Sequence, residues 1–199
     1  MKRAVLIATV VGTLAFPALA AAQGSTREIE TGDNFFDPED VTTDVGTESF
    51  HWQWGPPASI NQHNVRAQNK LFNSGNLAIN GNFTITPSAG TFAYVCDLHG
   101  AIGSNGTPIG MAGTIAVKPT ATPQGKKSLI TWATETTDTG TTFDVRQAVG
   151  KKDPEIVEKK TDEVEGAFKL KSGKKYKFQA RSRQGKAASE WSPALKVKG

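Results

Sequence analysis

Gly90-Thr91-Phe92-Ala93-Tyr94-Val95-Cys96-Asp97-Leu98-His99 is the stretch on which the reading of this chain turns. Phe92 and Tyr94 alternate with small residues, the two-residue period of a half-buried strand. The strand runs into the chain's only cysteine, and a histidine follows three residues later, placing a C-x2-H pair in the turn after it. The flanking segments carry the same signature. Phe50, Trp52 and Trp54 alternate with His51 and Gln53 inside 41–54, and Gly55-Pro56-Pro57 stops the run. Phe83-Thr84-Ile85-Thr86 and Gly113-Thr114-Ile115-Ala116-Val117 read as further strands. Short strands separated by Gly, Pro and Asn turns, with no helical period, predict an all-β sandwich or barrel.

Composition divides the chain. Residues 23–118 hold four Lys and Arg against nine Asp and Glu, whereas 119–199 hold seventeen against ten. All three histidines and Cys96 lie in the acidic half. Lys118-Pro119-Thr120-Ala121-Thr122-Pro123-Gln124-Gly125 has the composition of a linker, so 119–125 is expected to join two units, 23–118 and 126–199. At the N-terminus Lys2 and Arg3 precede an uncharged apolar run that ends Ala18-Leu19-Ala20-Ala21-Ala22, the pattern of a removable secretory signal peptide over 1–22. The run is short for a bilayer span and contains Pro17, so the mature chain is expected to be secreted, periplasmic or at the cell surface, and not transmembrane.

An exported protein commonly pairs its cysteines, and here there is one. A lone exported thiol suggests intermolecular pairing, a reactive thiol or a metal ligand. With His99 beside it and His63 upstream in Asn61-Gln62-His63-Asn64-Val65, a thiolate and two imidazoles form a soft trigonal set suited to both oxidation states of copper. Met111 downstream is a candidate weak axial thioether. The alternatives are blander: a lone cysteine on an aromatic strand is often a small buried hydrophobe, and His51 reads as structural. Trp52, Trp54, Phe35, Phe36, Phe92 and Tyr94 read as packing residues.

In these motifs the first half resembles the plastocyanin/azurin-like cupredoxin family. The resemblance runs from Phe35-Phe36-Asp37-Pro38 through Gln62-His63-Asn64-Val65 and Phe72-Asn73-Ser74-Gly75 to Cys96-Asp97-Leu98-His99 and Met111-Ala112-Gly113-Thr114-Ile115. It implies a cupredoxin Greek-key β-sandwich and one type 1 copper. It also implies His63, Cys96 and His99 as equatorial ligands, Met111 as the axial one, and Asn64 tying the two ligand loops together. The chain departs from the family in one place. Eleven residues, 100–110 (GAIGSNGTPIG), separate His99 from Met111 where only a few are usual. They are expected to bulge outward and to shape the port at the His99 edge.

The second half resembles a fibronectin type III domain, a smaller β-sandwich. The likeness rests on Trp132, on Tyr176-Lys177-Phe178-Gln179-Ala180-Arg181 and on Gly185-Lys186-Ala187-Ala188-Ser189-Glu190-Trp191-Ser192-Pro193. Histidine supply restricts the chemistry. With two of three histidines at one copper, His51 alone remains, too few for a second, catalytic copper or for a zinc hydrolase. The expectation is therefore a one-electron carrier and not an enzyme, working with a redox partner protein or small redox molecule. Copper storage or delivery, or surface binding with a non-redox copper domain, are the rival readings. The basic second half suits an anionic surface or glycan; nucleic acid is not expected.

Overall fold

The structure, a computed structural model, describes residues 24–134 and 140–199. The expected signal peptide, 1–22, lies outside the described residues. The described chain is all-β, with no helix among the described residues and therefore none long and apolar enough to cross a membrane.

The first half contains β1 (Ser25–Thr31), β2 (Phe36–Asp37), β3 (Asp40–Asp44), β4 (Glu48–Trp54), β5 (Arg66–Ala67), β6 (Gly81–Ile85), β7 (Gly90–Ile102) and β8 (Pro108–Lys118). They form two sheets, ordered β2-β1-β4-β6 and β3-β8-β7-β5. Most pairs are antiparallel, but β1 runs parallel to β4 and β3 parallel to β8. The run 41–54 is thus not one strand. A turn at Gly46, whose φ of 76° suits a glycine, sends β3 and β4 to different sheets. Aromatic residues close the space between the sheets. Trp52 of β4 meets Tyr94 of β7 edge-on with ring centroids 5.4 Å apart, and Phe36 meets Tyr94 at 5.1 Å.

The second half contains β9 (Thr120–Gln124), β10 (Lys127–Thr131), β11 (Thr142–Val149), β12 (Glu155–Thr161), β13 (Glu165–Lys169), β14 (Lys175–Gln184), β15 (Ala187–Ala188) and β16 (Leu195–Lys198). Its sheets are ordered β13-β10-β9 and β12-β11-β14-β15, with β16 also on β14. Phe168 of one sheet packs on Phe178 of the other at 5.1 Å. The stretch expected to be a linker is not a spacer. Thr120–Gln124 pairs in register with β10, because Thr and Ala at alternate positions supply a strand and Gly125, at φ 60°, makes the tight return to Lys127.

The two halves meet at the start of β7. The Ala89 amide donates to the Trp132 carbonyl at 2.7 Å, and Thr91 and Glu190 exchange two backbone hydrogen bonds at 3.1 Å. Ser88 and Ser182 join their hydroxyls there, both buried. One end of β7 therefore grips the second half, and the middle of the strand carries Cys96.

Candidate metal centre

The C-x2-H pair sits inside a strand, not in the turn beyond it. β7 pairs with β8 at Val95–Ala112, and pairing resumes at Gly100–Gly110. Between those points β7 has four residues, Cys96 to His99, and β8 has only Met111. This bulge swings both ligand side chains of β7 toward one place and sets Met111 opposite them. Two glycines close the base of the bulge: a Cβ on Gly100 would run into the Met111 backbone, and one on Gly110 into the His99 carbonyl. His63 arrives from the other side. Its amide donates to the Ala78 carbonyl at 2.9 Å, and the Ala78 amide returns a bond at 3.1 Å, pinning the loop.

Cys96 Sγ lies 3.7 Å from Nδ1 of both His63 and His99, and the two Nδ1 atoms are 3.3 Å apart. A point equidistant from corners so spaced is about 2.1 Å from each, close to the roughly 2.0–2.1 Å and 2.3 Å of metal–imidazole and metal–thiolate bonds. Three donors of this kind, turned on one point, fit a first-row metal such as copper. Cys96, His63 and Met111 are fully buried, while His99 is half-buried, so the cluster meets solvent through His99.

The surrounding groups hold the imidazoles. Ser59 Oγ is 2.6 Å from His63 Nε2 and donates its own proton to Asp33 Oδ1 at 2.8 Å. The hydroxyl has one proton, so it accepts from His63; the ring carries its proton on Nε2 and turns the Nδ1 lone pair to the cluster. Asp33 Oδ1 also accepts from the Ile60 and Asn61 amides. The Ser59 hydroxyl and the Asn61 amide hold that carboxyl down at about 2, so it is ionised at neutral pH. Burial pushes the His63 imidazolium below its ordinary value, against the opposing pull of Asp33, and keeps the ring neutral and able to ligate. Asn64 clamps the two ligand segments: its Nδ2 donates to Asp97 Oδ2 and its Oδ1 accepts from the Asp97 amide, both at 2.8 Å. Arg66 pairs with the same Asp97 and lowers its carboxyl pKa.

The segment 100–110 leaves the ligand cluster and returns as a regular hairpin. Ala101–Ile109 and Ile102–Pro108 continue the ladder past the ligands, and the Gly103 amide reaches the Thr107 carbonyl at 2.9 Å across a turn with Gly106 at φ 81°. Leu98 and Ile109, 54% and 57% exposed, present apolar surface on the bulge and the hairpin. Phe35 is 47% exposed and not a core residue, since its neighbour Phe36 takes the inward position of β2. Trp52, Trp54, Phe36, Phe92 and Tyr94 are buried as expected, and His51 hydrogen-bonds Glu28 through Nδ1 at 2.7 Å. Sequence reasoning missed Ser59 and Asp33. Ser59 precedes His63 by four residues, a faint local signal, but nothing in the sequence connects Asp33 to either.

In the second half, Asp144 is buried against Arg181 and Arg183, and the Arg146 and Arg181 guanidinium groups stack on Trp191 at 4.3 and 4.7 Å.

No family model matches this chain, and no curated protein matches it. Among solved structures it is similar to a two-domain fibronectin type III segment from chicken tenascin, with 14% identity, a TM-score of 0.34 and coverage of 73% of this chain and 88% of that one. It is also similar to a chain of a cytokine receptor complex, with 13% identity, a TM-score of 0.35 and coverage of 79% of this chain and 93% of that one.

Proposed function

We propose that this is an exported blue (type 1) copper protein that carries single electrons. One observation carries the reading: a buried cysteine sulfur and two imidazole nitrogens lie at the corners of a triangle whose centre is at metal–ligand distance. Copper held there would supply a one-electron couple. His63, Cys96 and His99 would hold it, with Met111, across the bulge, as the candidate fourth ligand. The rest is the work of the chain. Two sheets, the Asn64–Asp97 clamp and the Ser59 bond hold the donors in one arrangement, so little need move when the charge of the bound ion changes. Half-buried His99, with exposed Leu98 next to it in the chain and exposed Ile109 on the hairpin that follows, offers a redox partner an edge with apolar surface nearby. The parallel pairs β1–β4 and β3–β8 within a two-sheet sandwich support the cupredoxin-like reading of the first half. The order β13-β10-β9 facing β12-β11-β14-β16 supports the fibronectin type III-like reading of the second. The histidine supply argues against an enzyme.

Adding Cu(II) to the purified mature chain and recording the visible spectrum tests this. An intense thiolate-to-copper band that disappears in Cys96→Ser is expected. A colourless protein, or a band that survives the substitution, overturns it. Tight Cu(I) binding with slow electron exchange would instead establish storage or delivery.

A further inference from the structure

Strand order places the lysines of the second half at one end. β14 begins at Lys175 and reaches the junction at Ser182, about 23 Å away at the usual rise per residue. β10 begins at Lys127 and ends beside Trp132, also at the junction. The end remote from the junction therefore gathers the start of β14, the end of β16, the start of β10, the end of β13 and the turns between them. Of the fourteen lysines after Pro119, only Lys159, Lys160 and Lys186 lie on the junction side. The side-chain carboxylates of that remote end are Asp153 and Glu155, in and after the β11–β12 turn.

These lysines face one another. Lys175 pairs across strands with Lys198, Lys177 with Lys196, and Lys127 with Lys169; all six are exposed. Like charges directly opposite in a sheet destabilise it. Among the described residues, no lysine of the second half sits within ion-pair distance of a carboxylate, while Lys118 in the first half does, with Asp44. The fold thus holds three like-charge pairs at one pole without internal compensation. The metal cluster stands in the first half, away from the junction: β7 leaves the junction at Gly90 and reaches Cys96 about 20 Å further on.

We propose that this lysine pole binds a linear acidic polysaccharide and holds the chain with the His99 edge facing away from it. The two rungs Lys175–Lys198 and Lys177–Lys196 form a two-by-two cationic grid on one sheet face, matched by a polymer with a repeating negative charge. Bilayer insertion and base stacking call for exposed apolar or aromatic side chains. Among the described residues of the second half, the one large apolar side chain that is exposed is Ile156, and no exposed aromatic stands at this pole. This inference is independent of the metal.

The test uses the full mature chain and three probes: heparin, polygalacturonate and phosphatidylglycerol vesicles. Binding is measured by calorimetry across a salt series. Both polysaccharides are expected to bind with an affinity that falls steeply with salt, as displaced counterions require. The variant with Lys175, Lys177, Lys196 and Lys198 all replaced by Gln is expected to lose about tenfold or more in affinity at ~0.1 M salt. A control with Lys159, Lys160 and Lys186 replaced by Gln is expected to change less than about twofold. The four-Gln variant is also expected to melt no lower than wild type, since it removes two repulsive rungs. Equal losses in both variants, no polysaccharide binding, or binding to vesicles alone overturns the proposal.

Discussion

The hydroxyl of Ser59 accepts the Nε2 proton of His63 across 2.6 Å, and this bond decides which nitrogen of His63 is free to ligate. Behind it, Asp33 takes the hydroxyl proton and two backbone amides. Ser59→Ala leaves the Nε2 proton buried without its partner, a penalty of about 1–3 kcal/mol. It is expected to weaken Cu(I) binding by about 10–100-fold in chelator competition. Ser59→Thr keeps the hydroxyl and is expected to restore most of the loss. Nitrogen NMR of the metal-free protein reads the tautomer directly; an unchanged Nε2-protonated ring in Ser59→Ala would show that the hydroxyl does not set it.

Met111 faces the four-residue bulge alone and is fully buried. Met111→Leu preserves volume and apolar character, so it is expected to cost less than about 1.5 kcal/mol in denaturant unfolding. Loss of an axial thioether is expected to shift the copper form's reduction potential and visible band. A variant with wild-type potential and spectrum would remove Met111 from the ligand set.

Gly100 sits where β7 rejoins β8, and an added Cβ would strike the Met111 backbone. Gly100→Ala is expected to force the strands apart at the metal cluster, lowering metal affinity while leaving the second half intact. Chelator competition with circular dichroism of the whole chain checks this; unchanged affinity would mean that the bulge relaxes freely.

Asp144 is 4% exposed, with Arg181 at 2.7 Å and Arg183 at 3.1 Å. Burial alone would raise its carboxyl pKa, but the hydrogen bonds from Arg181 and the Lys160 amide, with both guanidinium charges, bring it below the ordinary value. A carboxyl lowered in the folded state contributes stability above its unfolded pKa of about 3.9, and that contribution is lost as pH falls through the folded value. Asp144→Ala is expected to cost roughly 3–5 kcal/mol at pH 7, since it strands two arginines. The gap from wild type is expected to shrink as urea titrations are repeated below about pH 4. A gap independent of pH would mean that the ion pairs contribute little.

At the junction, a Cβ on Gly90 would meet the Ser189 hydroxyl and the Phe92 ring. Gly90→Val is expected to split one calorimetric unfolding transition into two as the halves lose their grip on each other. A wild-type chain that already unfolds in two steps would show that the buried Ser88–Ser182 contact does not couple them.

Much of the site is legible in the sequence because its signals are local. Cys96 and His99 are three residues apart, and the Phe92–Tyr94 alternation marks the strand that carries them. The Ser59–Asp33 bond was not legible, because its partners come from segments 26 residues apart that only the sandwich brings together. The pairing within 100–110 was not legible, because glycine-rich composition suits a loose loop and a tight turn equally; register with β8 decides between them. The strand at 120–124 was misread for a related reason: two prolines mark a linker unless the strand is at a sheet edge, where proline is tolerated.

By itself, the sequence determined the chemical kind of the donors, their order along the chain and the all-β period, since alternation and composition need no distant contact. Only the tertiary structure decided that the donors converge, that Ser59 orients His63, that Phe35 faces out, and that the lysines collect at the end of the second half remote from the junction. Those facts depend on which strands pair and in which direction they run, and strand pairing joins residues far apart in the chain.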